Sequence, residues 1–133
     1  MADTTITAAS VVPATSGIGT ALSAGALAIG DLIYLAAGVA TKAVNDTAAH
    51  AALAGVVMSA SSAANQWITY QRTGPITGGM GTTQGVVYCA SPNAGKICPI
   101  ADVASGKYVS IIGVGGAAAS LILGIFNSGG TVA

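Results

Sequence analysis

Tyr108 to Phe126 reads YVSIIGVGGAAASLILGIF, a run without a single charge, and two structures compete for it. A hydropathy window of this length reads as a membrane helix, and Gly113, Gly116 and Ala117 supply small residues at helix-packing spacing. Against the helix stands the run Gly113-Val114-Gly115-Gly116, because each glycine costs about 1 kcal/mol relative to alanine inside a helix. Lys107 and Tyr108 anchor one end, but Asn127-Ser128-Gly129-Gly130 at the other offers no Lys, Arg, Trp or Tyr. The flanking pieces, Tyr108–Gly113 and Ser120–Phe126, have strand length and β-branched content. The stretch is therefore read as two buried strands joined through a Gly/Ala-rich connection. A membrane span near residues 108–126 is the alternative.

Working outward, the same short apolar runs recur between Gly, Pro, Asn and Asp. Leu32–Ala36 follows Gly30-Asp31, and Val39–Val44 follows Gly38. Ala54–Ser59, Trp67–Arg72, Gly85–Ala90 and Lys96–Ile100 complete the series. Thr47–Leu53 is alanine-rich and reads as a helical turn or two, or a loop. Eight to ten strands at this spacing predict a mainly β protein, a compact small barrel or sandwich. Residues 1–16 (MADTTITAASVVPATS) read as an extended N-terminal arm, with Thr4–Ser10 as a candidate strand. That arm has little core of its own and is expected to be ordered by a partner. Residues 17–133 form the single β-rich domain.

One hairpin has its register written in the sequence. If Pro92–Gly95 is a four-residue loop, Ser91 faces Lys96, Ala90 faces Ile97 and Cys89 faces Cys98. Two thiols would then sit directly across a strand pair, read here as reduced packing residues. Pro99 places the second strand at an edge or ends it.

Composition bounds the function. Four acidic and four basic side chains make up 6% of the chain against 53% hydrophobic, with a mean hydropathy of +0.74; a soluble domain ordinarily carries roughly a quarter charged residues. Such a chain is enclosed by lipid, or its Ser, Thr, Gly and Ala faces press against other protein. Small residues bury little apolar area each, so a trimer or lattice contact suits this composition better than a monomer. Lys42, Arg72, Lys96 and Lys107 are scattered and form no basic stripe, which argues against nucleic acid. The start, Met1-Ala2-Asp3-Thr4-Thr5, lacks a basic n-region and an apolar core, so a product made in the cytosol is expected.

Chemical motifs fail on inspection. Ser16-Gly17-Ile18-Gly19 looks like the glycine turn of short-chain dehydrogenases, but Val12-Pro13 stand where that turn needs Thr-Gly. Ala94-Gly95-Lys96-Ile97 is no phosphate loop, since Ile97 replaces the magnesium-binding hydroxyl. Two cysteines and the lone His50, distant in sequence, do not make a metal set. Asp31 and Asp46 sit in turn contexts that engage backbone amides. No nucleophile–base–orienter set emerges, so no enzyme, cofactor or metal is expected. Trp67 reads as a core or rim aromatic, with a binding anchor as the minority reading. Thr73–Gly85 (TGPITGGMGTTQG) reads as a flexible loop of functional length. Trp67, Arg72 and Met80 are the candidate interface residues; few stacking rings argue against a carbohydrate-binding module.

The order of elements resembles phage head decoration (capsid cement) proteins. The likeness rests on Ala24-Gly25 with Gly30-Asp31-Leu32-Ile33-Tyr34, Gly38 to Ala43, and Leu53-Ala54-Gly55-Val56-Val57. It continues through Asn65-Gln66-Trp67-Ile68-Thr69-Tyr70 with Thr73-Gly74-Pro75-Ile76, Gly85 to Ala90 with Gly95-Lys96-Ile97, Ile112-Gly113-Val114, and Leu121 to Ile125. It covers roughly residues 20–126, and Gly115-Gly116-Ala117-Ala118-Ala119 departs from it. The resemblance implies a small β protein on the exterior of a virion, most simply a homotrimer bound to the phage major capsid protein. The arm residues Thr4, Thr5, Ile6, Thr7, Val11 and Val12 are then expected to contact a neighbouring subunit or the coat protein. Another β-rich virion module, such as a fibre or spike part, fits the same pattern.

Overall fold

A computed structural model describes residues 3–133. The protein is mainly β: among the described residues ten strands form two sheets. They are β1 (Ile18–Ser23), β2 (Leu32–Ala36), β3 (Val39–Lys42), β4 (Gly55–Val57), β5 (Trp67–Gln71), β6 (Thr73–Ile76), β7 (Val87–Ala90), β8 (Ile97–Pro99), β9 (Tyr108–Gly115) and β10 (Leu121–Thr131). The first five close into a barrel in the order β1-β3-β2-β4-β5, and the rest form an open sheet in the order β6-β10-β9-β7-β8.

The deciding stretch is a strand pair. β9 and β10 run antiparallel, with Leu121 opposite Gly115 and Leu123 opposite Gly113. Gly113 is needed there, because a side-chain carbon at that position would run into the Ile122 carbonyl. No helix among the described residues is long and apolar enough to cross a membrane. Residues 108–126 are thus two strands and a tight connection, Gly116–Ser120, as expected from the glycines, and not the alternative helical span. In that connection Ala118 and Ala119 both adopt positive φ, 55° and 59°, which alanine rarely does.

Two interiors hold the sheets. Inside the barrel, Ala21, Leu27, Ile33, Ala40, Val57, Ile68 and Tyr70 pack together. The larger core lies between the barrel flank (Leu32, Ala43, Leu53, Val56) and the inner face of the open sheet (Ile76, Tyr88, Ala90, Ile97, Ile112, Leu121, Leu123). Alternation along β2 explains the division: Ile33 points into the barrel while Leu32 points out to the second core. A third, small cluster of Cys89, Cys98 and Val103 lies with Val109, Ile111 and Val132.

Most elements lie where the periodicity put them; β1 and β6 do not. The run Ile18-Gly19-Thr20-Ala21-Leu22-Ser23 carries few β-branched residues, yet it closes the barrel against β5 from Ile18–Gln71 to Leu22–Trp67. Thr73–Ile76, expected in a flexible loop, pairs with β10. The candidate strand Thr4–Ser10 is instead extended chain ending in a 3-10 turn, Ala8–Ser10.

Candidate functional surface

The hairpin β7–β8 has the expected register, with Cys89 opposite Cys98 and Ala90 opposite Ile97, and the Ser91 amide donates to the Lys96 carbonyl at 3.2 Å. β8 is an edge strand that stops at Pro99. Both thiols are free and fully buried. Burial pushes Cys89 up to about 11 and Cys98 up to about 12, so both are protonated, unreactive packing groups at neutral pH.

The arm lies along its own domain. The Thr4 amide donates to the Ile97 carbonyl (2.9 Å) and the Thr7 amide to Gly79 (2.7 Å), and Val12 exchanges amide–carbonyl bonds with Thr77. The Asp3 carboxylate accepts from the Ser91 hydroxyl (2.6 Å) and the Asn93 amide (2.7 Å). Ile6 and Val11 pack on the larger core. Thr5, Thr7 and Val12 stay exposed, whereas Thr4, Ile6 and Val11 are half-buried. The seat beneath is glycine-built: Gly79 sits at φ +70°, and a side-chain carbon there would come within 2.6 Å of the Thr7 carbonyl.

Of the three interface candidates, one must be withdrawn. Met80 is fully buried in the larger core, because the loop that carries it is clamped on both sides. The Met80 amide donates to Ala119 (3.0 Å), the Gly78 amide to the Ser120 hydroxyl (3.1 Å), and the Thr82 hydroxyl to the Ser120 carbonyl (2.5 Å). Arg72 is exposed at the corner where β5 passes into β6. Trp67 is 71% exposed, so its core reading is corrected to a surface one. β5 points Ile68 and Tyr70 inward, which leaves Trp67, Thr69 and Gln71 outward; only Gln71, under the open sheet, is covered.

The registers assemble two apolar rows that single residues do not reveal. Directly paired residues share a face. Across the barrel strands, Trp67 pairs with Leu22, Leu22 with Val39, and Val39 with Ala36. Across the outer face of the open sheet, Pro75 pairs with Ile122, Ile122 with Val114, and Val114 with Val87. Ile122 and Phe126 on that face are 52% and 61% exposed. Between them Gly124 leaves open space where a side chain would stand. None of these positions carries a charge.

Two acidic groups elsewhere are held in local contacts. Asp31, at the barrel entrance, accepts from the Ala28 amide (2.9 Å) and lies 3.8 Å from the Lys42 ammonium. His50 Nδ1 is 2.7 Å from the Asp46 carboxylate, a contact that holds this carboxyl below its usual range, and its ring leans on Tyr34 with centroids 5.4 Å apart. A groove of about 370 Å³ runs beside the arm between Thr4, Ile6, Ile29 and Lys96. Among the described residues no three His, Cys or Asp side chains gather as a metal-binding group.

The fold class is therefore a five-stranded β-barrel with a five-stranded sheet packed on its flank and an uncharged apolar row on each. Comparison with protein-family models, with curated proteins and with solved structures finds no match to this chain.

Proposed function

We propose that this protein is a structural component of a phage virion, binding the capsid exterior as a ring-shaped oligomer, most simply a trimer, and cementing neighbouring capsomers. The observation that carries the reading is the uncharged, apolar outer face of the open sheet, Pro75–Ile122–Val114–Val87. Sheet faces are normally covered or polar, and a face of this kind is suited to permanent contact with protein. The element order that resembles capsid decoration proteins gives that contact its partner, the major capsid protein.

The arm is the second contact. Its outward side chains, Thr5, Thr7 and Val12, sit on a segment that passes from Ile97 on the β8 edge, by Gly79, to Thr77 just after β6. Each contact is small, but a ring that engages several coat subunits at once gains affinity through effective concentration.

Co-sedimentation with capsids of the encoding phage tests the reading. Wild-type protein is expected to pellet with mature shells. The triple substitution Thr5→Asp, Thr7→Asp, Val12→Asp changes exposed positions only, so the domain should keep its β circular dichroism while losing the shell. Wild-type protein that stays in the supernatant, or a triple variant that decorates normally, would overturn it.

A further inference from the structure

We propose that the groove between the arm and the barrel entrance binds a small zwitterion, an α-amino acid with an apolar side chain, and that this ligand holds the arm in place.

The groove, about 370 Å³, lies between Thr4 and Ile6 of the arm, Ala28, Ile29 and Asp31 of the barrel entrance, and Lys96 of the β7–β8 hairpin. Two polar atoms on its opposite walls have no partner. Asp31 is only 3% exposed. Its Oδ2 accepts from the Ala28 amide and faces the Lys42 ammonium, which leaves Oδ1 without a hydrogen bond among the described residues. The Thr4 hydroxyl is buried and has no partner among them either. Buried polar groups are ordinarily paired; two unpaired ones along one groove point to a ligand that supplies their partners.

The backbone sets both walls. Ile6 seats on Gly30, where a side-chain carbon would come within 2.7 Å of it, and so stands beside Asp31. The Thr4 amide donates to the Ile97 carbonyl at 2.9 Å, which sets Thr4 beside Lys96. The Leu32 amide donates to the Gly95 carbonyl at 2.9 Å, tying the chain after Asp31 to the chain before Lys96.

Charge selects the ligand. Lys96 is exposed, and its ammonium has no ion pair among the described residues. A simple anion drawn to Lys96 would meet the Asp31 carboxylate, and a simple cation drawn to Asp31 would meet Lys96. A molecule carrying both charges satisfies both. Its ammonium donates to Asp31 Oδ1 and the Thr4 hydroxyl, and its carboxylate pairs with Lys96. Ile6, Ala28 and Ile29 supply the apolar wall that covers its side chain. Because arm and barrel each form one wall, a ligand of the closed groove stabilises the docked arm by mass action. None of the sheet-face residues assigned to the coat protein lines this groove.

Calorimetric titration of the full chain with L-leucine, L-methionine and L-phenylalanine tests the site, together with deuterium exchange at the Thr4 and Thr7 amides. At least one of these amino acids is expected to bind at millimolar concentration and to slow exchange at both amides. Its amide, which lacks the anion, and its deaminated acid, which lacks the ammonium, should each bind about tenfold more weakly or worse. Lys96→Gln changes an exposed side chain, so the fold should stand. It should weaken the amino acid about tenfold and leave its amide unaffected. Thr4→Val keeps the side-chain shape, and should weaken binding without lowering the denaturation midpoint. Failure of all three amino acids to bind would overturn the proposal. So would equal affinity for the two stripped analogues, binding indifferent to Lys96→Gln, or binding that leaves arm exchange unchanged. Capsids are absent from these measurements, so this site and the cement reading can each fail alone.

Discussion

Gln71 shows most directly how a residue's neighbours decide its role. Fully buried between the sheets, it donates through Nε2 to the Thr73 carbonyl (2.9 Å) and the Pro75 carbonyl (3.0 Å), and its Oε1 accepts from the Ala14 amide (2.9 Å). It thereby ties the end of the barrel, the start of the open sheet and the base of the arm to one side chain. Gln71→Ala should cost about 1–3 kcal/mol by stranding buried polar groups, measured as a lowered denaturation midpoint. By alternation the sequence says only that Gln71 shares a strand face with Trp67 and Thr69. The thiols behave oppositely, being legible early. With folded values raised above the ordinary 9.0, they favour the folded state fully below about pH 9. That contribution is lost as pH rises from there through 11–12. Native protein at pH 8 should therefore resist alkylation, and both cysteines should label once denatured; rapid native labelling would show that the β8 edge opens.

At the scale of elements, hairpin β7–β8 was legible because loop length alone sets its register. β9 and β10 were legible because glycines in mid-run count against a helix. The connection between them was not. Ala117-Ala118-Ala119 has the composition of a helix, yet the Gly78–Thr82 segment pins it from outside through Ser120 and Ala119. Two successive alanines are held at positive φ as a result. Replacing Ala118 by glycine should release part of the roughly 1–2 kcal/mol that alanine incurs there, offset by glycine's greater loss of freedom. The net expectation is a stabilisation of about 0.5 kcal/mol, read by chemical denaturation. The arm's seat on its own domain was not legible, because Ile6 and Val11 look too sparse to bind there. Its seat lies some seventy residues away in the glycines at 78–81, which carry no apolar signal of their own.

For the whole molecule, sparse charge sets how association responds to solution conditions. Four acidic and four basic groups leave the two apolar rows without ionic contacts, so sodium chloride should weaken self-association little. Sulfate should strengthen it, through exclusion from apolar surface. Sedimentation velocity at matched concentrations checks both; an oligomer that dissociates in moderate salt would place ionic pairs in the interface.

The sequence by itself determined that the chain is mainly β, where most strands lie, and that Cys89 meets Cys98. These follow from alternation, glycine placement and turn length, all local quantities. Only the tertiary structure decided that the first five strands close into a barrel, and that Met80 is core while Trp67 is surface. It also decided that the arm folds back on its own domain. Each of these depends on which face of a strand another sheet covers. Trp67 and Gln71 show the reason: they share one face of one strand, and the open sheet reaches far enough to bury the second but not the first.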